Sequence, residues 1–217
     1  MIGSRMRVNW TARTGRRWLL AVVLAAVSGL SAGAAVDDSR QPPFASLAGR
    51  MLVATKRIAA LPFAGTVIMI VSHTPRGAVG LVVNRPIGTH PIENVLAVMG
   101  MDGGDLVGTL PVHFGGPVGT SEGFVLHTSD YATTSTQFIS EGLAMTSRAS
   151  ILGDILKGRG PKQSMFAFGY AGWGPGQLEH EIAQQAWITV PADEGIIFDE
   201  EHDTKWNRAM QLHGTGR

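Results

Sequence analysis

The chain has 217 residues, of which 44% are hydrophobic and 16% charged, with 28 glycines and no cysteine. That length holds one domain with a real core, or a domain and a tail; the composition excludes general disorder, and the missing cysteines exclude disulfides, thiolate metal sites and a lipidated anchor. The formal charge of +1 hides an asymmetry: residues 1–35 carry five of the 18 basic side chains and none of the 17 acidic ones, which leaves 13 against 17, a net −4, on the remainder.

The first block, RTGRRWLLAVVLAAVSGLSAGAA, runs from a basic start into an apolar stretch, Trp18 to Val27, and ends in small residues with an A-x-A pattern at Ala32-Gly33-Ala34. This order predicts a signal peptide over residues 1–35, cleaved near Ala34 or Ala35. Its apolar core is shorter than the ~20 residues of a spanning helix. The expectation is therefore export to the periplasm, with no stable membrane span after cleavage; the alternative is an anchor left uncleaved. Residues 36–46, VDDSRQPPFAS, read as a linker, and residues 47–217 as one domain.

Within that domain, Gly49–Thr55 and Gly65–Ser72 are apolar runs bounded by Gly and Pro, and read as buried strands. Pro75-Arg76-Gly77 is a turn into a third strand, Ala78–Asn84, stopped by Pro86, so a hairpin is expected. A helix follows, capped by Thr89 or His90, with Ile92, Val95, Leu96 and Met99 at helical spacing and Gly100 at its end. VHFGG and GFVLHTS are short strands around a glycine-rich loop. Ser147 caps a second helix with Ile151 and Ile155, joined by Leu152 and Leu156, on its buried stripe. SMFAFGYAGW is a strand that breaks into glycines at Gly169. A third helix carries Leu178 and Ile182 four apart. AWITVPA and IIF read as strands, and a terminal helix begins at Thr204. Strands and helices are interspersed and the first strands are hairpin-linked, which predicts an α+β fold with a mixed, largely antiparallel sheet.

Several patterns resemble catalytic motifs and fail on context. Gly119-Thr120-Ser121-Glu122-Gly123 matches G-x-S-x-G, but a loop precedes Ser121 and a strand follows, the reverse of a nucleophile elbow; it reads as a hairpin turn. His180-Glu181 lacks the second histidine one turn later, where Gln184 stands, so no zinc helix is expected. No metal-ligand spacing, dinucleotide fingerprint or Walker motif occurs, and no metal or cofactor is predicted. Asn84-Arg85-Pro86 ends a strand, where Arg85 can clamp a carboxylate or phosphate or satisfy loop carbonyls. The glycines at 172, 174 and 176 serve either tight packing around Tyr170 and Trp173 or a ligand at the helix start. A duplex-binding face needs a clustered basic footprint, so the acidic body disfavours nucleic acid.

Taken together, GAVGLVVNRP, HFGGPV, GFVLH, DIL…GRGP, FGYAGWGPGQLEHEI and IIFD resemble the YqgE/AlgH family of bacterial proteins over Leu47 to Leu212. The resemblance implies an α+β fold with a bifurcated, partly barrel-like sheet surrounded by helices. It marks Asn84, Arg85, Gly115, Gly116, His127, Tyr170, Gly172, Trp173, Gln177 and Glu179 as signature positions forming a ligand or partner surface, without making any of them catalytic. One branch of the family is called a transcriptional regulator. The expected function is a non-enzymatic binding or regulatory protein with a small ligand or protein partner. The alternatives are an enzyme using a cleft near Arg85, His127 and Glu179, and a transcriptional regulator.

Overall fold

The computed structural model describes residues 44–215 apart from 103, 148 and 149. The expected signal peptide and most of the expected linker lie outside the described residues, which all belong to one unit, Pro43–Arg217.

Strands β1 (Arg50–Ala54), β2 (Val67–Thr74) and β3 (Gly77–Val82) form an antiparallel meander. Their apolar runs are unbroken because both faces are covered. Met51, Val53, Val67, Met69 and Val71 enter one core, while Leu52, Ala54, Ile68 and Ile70 enter a second core on the other face. Strand β10 (Trp187–Pro191) pairs with the outer edge of β1.

Strand β9 (Ser164–Trp173) is where the sheet forks. One edge pairs with β6 (Val118–Thr128). The other edge pairs in parallel with β5 (Thr109–Phe114) through Phe166–Phe168, then antiparallel with β3 through Ala171–Trp173. Gly115 stands in the fork: its N–H donates to Phe168 O at 2.8 Å and its carbonyl accepts from Val82 N at 2.9 Å. Two glycines make this crossing possible. A Cβ on Gly116 would lie 2.1 Å from Tyr170 C, and one on Gly169, whose φ is +70°, 2.4 Å from Gly116 O.

Beyond β6 come β8 (Leu143–Thr146) and β7 (Thr136–Phe138), and β4 (Pro86–Pro91) pairs only with β5. Among the described residues every pairing except β5–β9 is antiparallel. The sheet is curled into a half-barrel with helices around it, the α+β architecture expected. A third core joins α1 (Ile92–Val98), α2 (Ser150–Leu156) and the β5–β9 arm. Leu178 of α3 (Gln177–Ala183) packs into the second core, and Ala209 of α5 (His202–Thr215) into the first. Among the described residues no helix is long and apolar enough to cross a membrane.

Local expectations needed correcting at six places. Pro86 begins a strand instead of ending one, which an edge strand paired on one side tolerates. The following helix starts after Pro91, with no side-chain cap from Thr89 or His90. Gly119–Gly123 lies inside β6, across a register shift between Val118 and Gly123, and is no hairpin turn. Strand β9 continues through Gly169 to Trp173. The apolar run Ile196-Ile197-Phe198 belongs to a short helix, α4 (Glu194–Phe198), because the Asp193 side chain accepts from Ile196 N and caps it. Helix α5 begins two residues before Thr204.

Candidate functional site

The signature positions are first of all joints of the fold. Asn84 is buried; its Oδ1 accepts from Val67 N and its Nδ2 donates to Gly65 O, both at 2.9 Å. Arg85 donates through Nη2 to Ala64 O, so its guanidinium satisfies a loop carbonyl. Together they tie the end of β3 to the segment leading into β2. Gly115 and Gly116 form the fork, and Tyr170 beside them packs edge-on against Phe124 at 6.0 Å.

His127 is fully buried with both ring nitrogens engaged. Thr128 O, 2.8 Å from Nδ1, can only accept, so Nδ1 carries the proton and Nε2 accepts from the Thr146 hydroxyl at 2.9 Å. Burial holds the His127 pKa below the ordinary histidine value. Glu179 pairs with His73, a residue the sequence did not single out. The His73 Nδ1 accepts from Leu47 N at 2.9 Å, which leaves Nε2–H to donate to Glu179 Oε1 at 2.9 Å. Ser46 Oγ also bonds the His73 carbonyl, at 2.9 Å. Arg85, His127 and Glu179 thus have separate partners.

The Gly172–Glu179 stretch turns on a further unforeseen residue, Glu181. Its Oε2 accepts the indole N–H of Trp173 at 2.9 Å and of Trp187 at 2.7 Å, and its Oε1 accepts from Gln177 Nε2 at 2.9 Å. Gln177 Oε1 in turn accepts from Gly174 N at 3.0 Å. Trp173 is only 7% exposed. Gly176, at φ +72°, starts the helix, whereas a Cβ on Gly172 would make ordinary contact, 3.4 Å from the Tyr170 ring. The glycine at 172 is therefore not required by the backbone, contrary to expectation.

A further gathering of titratable groups lies elsewhere. A cleft of about 320 Å³ opens between the paired strands β4 and β5 and the α4–α5 segment, lined by Thr89, His113, Asp199, His202 and Lys205 among others. Val112 packs into the third core, so its neighbour His113 faces the opposite side of β5. His113 Nδ1 donates to Phe166 O at 3.1 Å, which makes its Nε2 an acceptor while the ring is neutral. The His202 ring stands edge-on to it at 5.0 Å, and His202 Nδ1 is buried without a hydrogen-bond partner. Lys205 is 0% exposed and donates to Val83 O at 3.1 Å and Ile197 O at 2.8 Å. Its distance to Asp199 Oδ1 is 3.8 Å, and Arg208 also pairs with Asp199.

Burial and neighbouring charge act together here. Burial lowers the His113 pKa to about 4, helped by the charges of His202 and Lys205 and opposed by the Phe166 hydrogen bond. Burial lowers Lys205 to about 8, with Arg208 adding to it and Asp199 resisting. His202 is also lowered, by burial and then by Lys205, against Asp199, Glu200 and Asp203. A fully buried lysine beside two histidines whose charged forms it disfavours makes an electrostatic cluster of the kind that marks functional clefts. Among the described residues no three His, Cys, Asp or Glu side chains form a metal cage.

None of Arg85, His127 and Glu179 lines this cleft. The sequence did not reveal it because His113 lies in a short strand and Lys205 in the terminal helix, and no spacing along the chain links the two. One signal was present: Lys205 stands four residues before the fully buried Ala209, on the inner stripe of α5.

A family model described as AlgH-like matches residues 51–216. A UPF0301 protein of Methylococcus capsulatus is 43% identical over 170 residues, covering 78% of this chain and 93% of the relative. One from Jannaschia sp. is 41% identical over 170 residues, 77% of this chain and 88% of the relative. The solution structure of the AlgH protein from Pseudomonas aeruginosa superposes with a TM-score of 0.67 at 37% identity, over 82% of this chain and 94% of that one. With the forked sheet, its glycine crossing and these matches together, the chain belongs to the AlgH-like family.

Proposed function

We propose that this chain is a ligand-binding protein that holds a small anion, a carboxylate or phosphate, in the His113–His202–Lys205 cleft, and that the amino-terminal leader exports it. The observation that carries the reading is His202 Nδ1, buried beside Lys205 without a partner. An anion in the cleft supplies that partner: the nitrogen takes up a proton and donates it. Lys205 donates to two backbone carbonyls and pairs with Asp199 Oδ1 at 3.8 Å, so a bound anion shares its charge with that carboxylate. The same ammonium repels a metal ion. The volume, about 320 Å³, suits a small molecule. Binding without catalysis is favoured by His127, whose two ring nitrogens are both committed to the fold.

The sign of the pH dependence follows. A bound anion favours the charged forms of His113, His202 and Lys205 over the opposition of one another and of Arg208. Asp199, Glu200 and Asp203 already favour the charged His202, and Asp199 the charged Lys205, and these carboxylates compete with the ligand. Binding therefore takes up protons, and affinity rises as pH falls through about 8, where Lys205 gains its charge. The test is an NMR titration of the imidazole resonances with inorganic phosphate and with acetate. The midpoints of His113 and His202 should rise with one anion, and Lys205→Met should abolish the effect. Midpoints that stay in place with both anions would overturn the reading.

A further inference from the structure

The corner built around Glu181 carries a second, independent inference. Three neutral N–H groups converge on its carboxylate, from Trp173, Trp187 and Gln177. The ion pairs among the described residues leave Glu181 without a cation. A half-buried negative charge solvated by donors that carry no charge of their own leaves a local field unneutralised.

That charge borders a pocket of about 230 Å³, lined by Ile58, Phe63, Trp173, Gln177, Glu181 and Trp187. Trp187 stands steeply to both of the other rings. Trp173 and Trp187 stand 6.0 Å apart at 81°, and Phe63 and Trp187 stand 5.9 Å apart at 74°. Both indoles turn their N–H edge, the positive end of the ring quadrupole, toward Glu181. The indoles are largely buried, and where a ring face borders the pocket it presents electron density that attracts cations. Aromatic faces, a carboxylate and no positive side chain in the lining form one chemical pattern. The volume lies below the range of drug-sized pockets, so a group of few heavy atoms fits.

We propose that this pocket binds a small organic cation, an alkylammonium or quaternary ammonium group, seated against Trp173, Trp187 and Phe63 and neutralised by Glu181. The site shares no lining residue with the His113 cleft, and the two bind opposite charges. Neither proposal depends on the other, and their reporters differ, imidazoles there and indoles here.

The experiment uses choline and its uncharged carbon analogue, dimethylbutanol, on the ¹⁵N-labelled chain. The indole N–H resonances of Trp173 and Trp187 are the reporters. Trp206, whose indole N–H donates to Ala54 O at 2.8 Å and which lies outside the pocket, is the internal control. Choline should shift the first two in a saturable way and leave Trp206 in place. The analogue should bind at least about tenfold more weakly, because it keeps the shape and loses the charge. Glu181→Gln should lose choline by a similar factor. Equal affinity for choline and the analogue, unshifted Trp173 and Trp187, or full choline binding by Glu181→Gln would each overturn the proposal. Should Glu181→Gln fail to fold, the comparison of the two compounds on the parent chain decides alone.

Discussion

Lys205 reaches the backbone carbonyl of Val83 at 3.1 Å across 122 residues of sequence. One terminal-helix side chain thus locks the end of the third strand, and its second bond, to Ile197 O, closes the end of α4. The same ammonium sets the electrostatics of the cleft it borders.

Replacing that lysine therefore has two separable effects. Lys205→Met leaves two buried carbonyls without a donor and should lower stability by about 1–3 kcal/mol, read from denaturant midpoints. It also removes a positive charge next to both histidines. The NMR titration midpoints of His113 and His202 should move up in the variant, since Lys205 lowers each of them. A merely structural lysine would change the first quantity and not the second.

His113 should make the fold sensitive to acid. Its pKa is about 4 in the folded chain against 6.5 for the free side chain. The unfolded chain binds the proton more readily, so the stability from a neutral His113 is full above pH 6.5 and is lost as pH falls through about 4. The shift corresponds to about 3 kcal/mol. His113→Asn, which keeps an N–H near Phe166 O, should flatten that part of the stability–pH curve. An unchanged slope between neutral pH and pH 4 would refute the assignment.

The fork makes a sharp contrast between two glycines. Gly116→Ala places a Cβ inside the Tyr170 backbone and should cost about 3 kcal/mol or more, or abolish folding. Gly172→Ala meets the Tyr170 ring at 3.4 Å, ordinary contact, and should stay within about 0.5 kcal/mol of the parent. Thermal melts of the two variants side by side test this. A Gly172 variant as damaged as the Gly116 one would contradict it.

Export is tested in the native cell. The basic, apolar and A-x-A order at residues 1–35 predicts a mature chain beginning near Val36. N-terminal sequencing of the native protein should find that start in a periplasmic fraction. An intact Met1 on protein from the cytoplasm would refute it.

Legibility followed burial. The runs around Met51–Ala54 and Val67–Val71 read as strands because both sheet faces are covered and every position is apolar. The pair Thr136–Phe138 and Leu143–Thr146 was not foreseen. Phe138 is exposed on the edge strand, and the neighbouring residues carry too little apolar alternation to register. Ile196–Phe198 read as a strand because three apolar residues in a row show no period, and the Asp193 cap decided otherwise. At the signature block, the sequence marked Trp173 and Gln177 but not Glu181, the carboxylate on which both converge.

By itself the sequence determined the family, the α+β class, the positions of the first strands and helices, and the acidic body. The class and the elements follow from hydrophobic period and turn chemistry, the acidic body from the charge count, and the family from the resemblance of its motif blocks, all of which are written along the chain. Only the tertiary structure decided that Asn84, Arg85 and His127 spend their polar atoms on the fold, and that His113, His202 and Lys205 share a cleft. Periodicity reports which face of one element is buried. A perturbed charge depends instead on which side chains other elements bring beside it and how much water they remove, and that is a property of the packed chain.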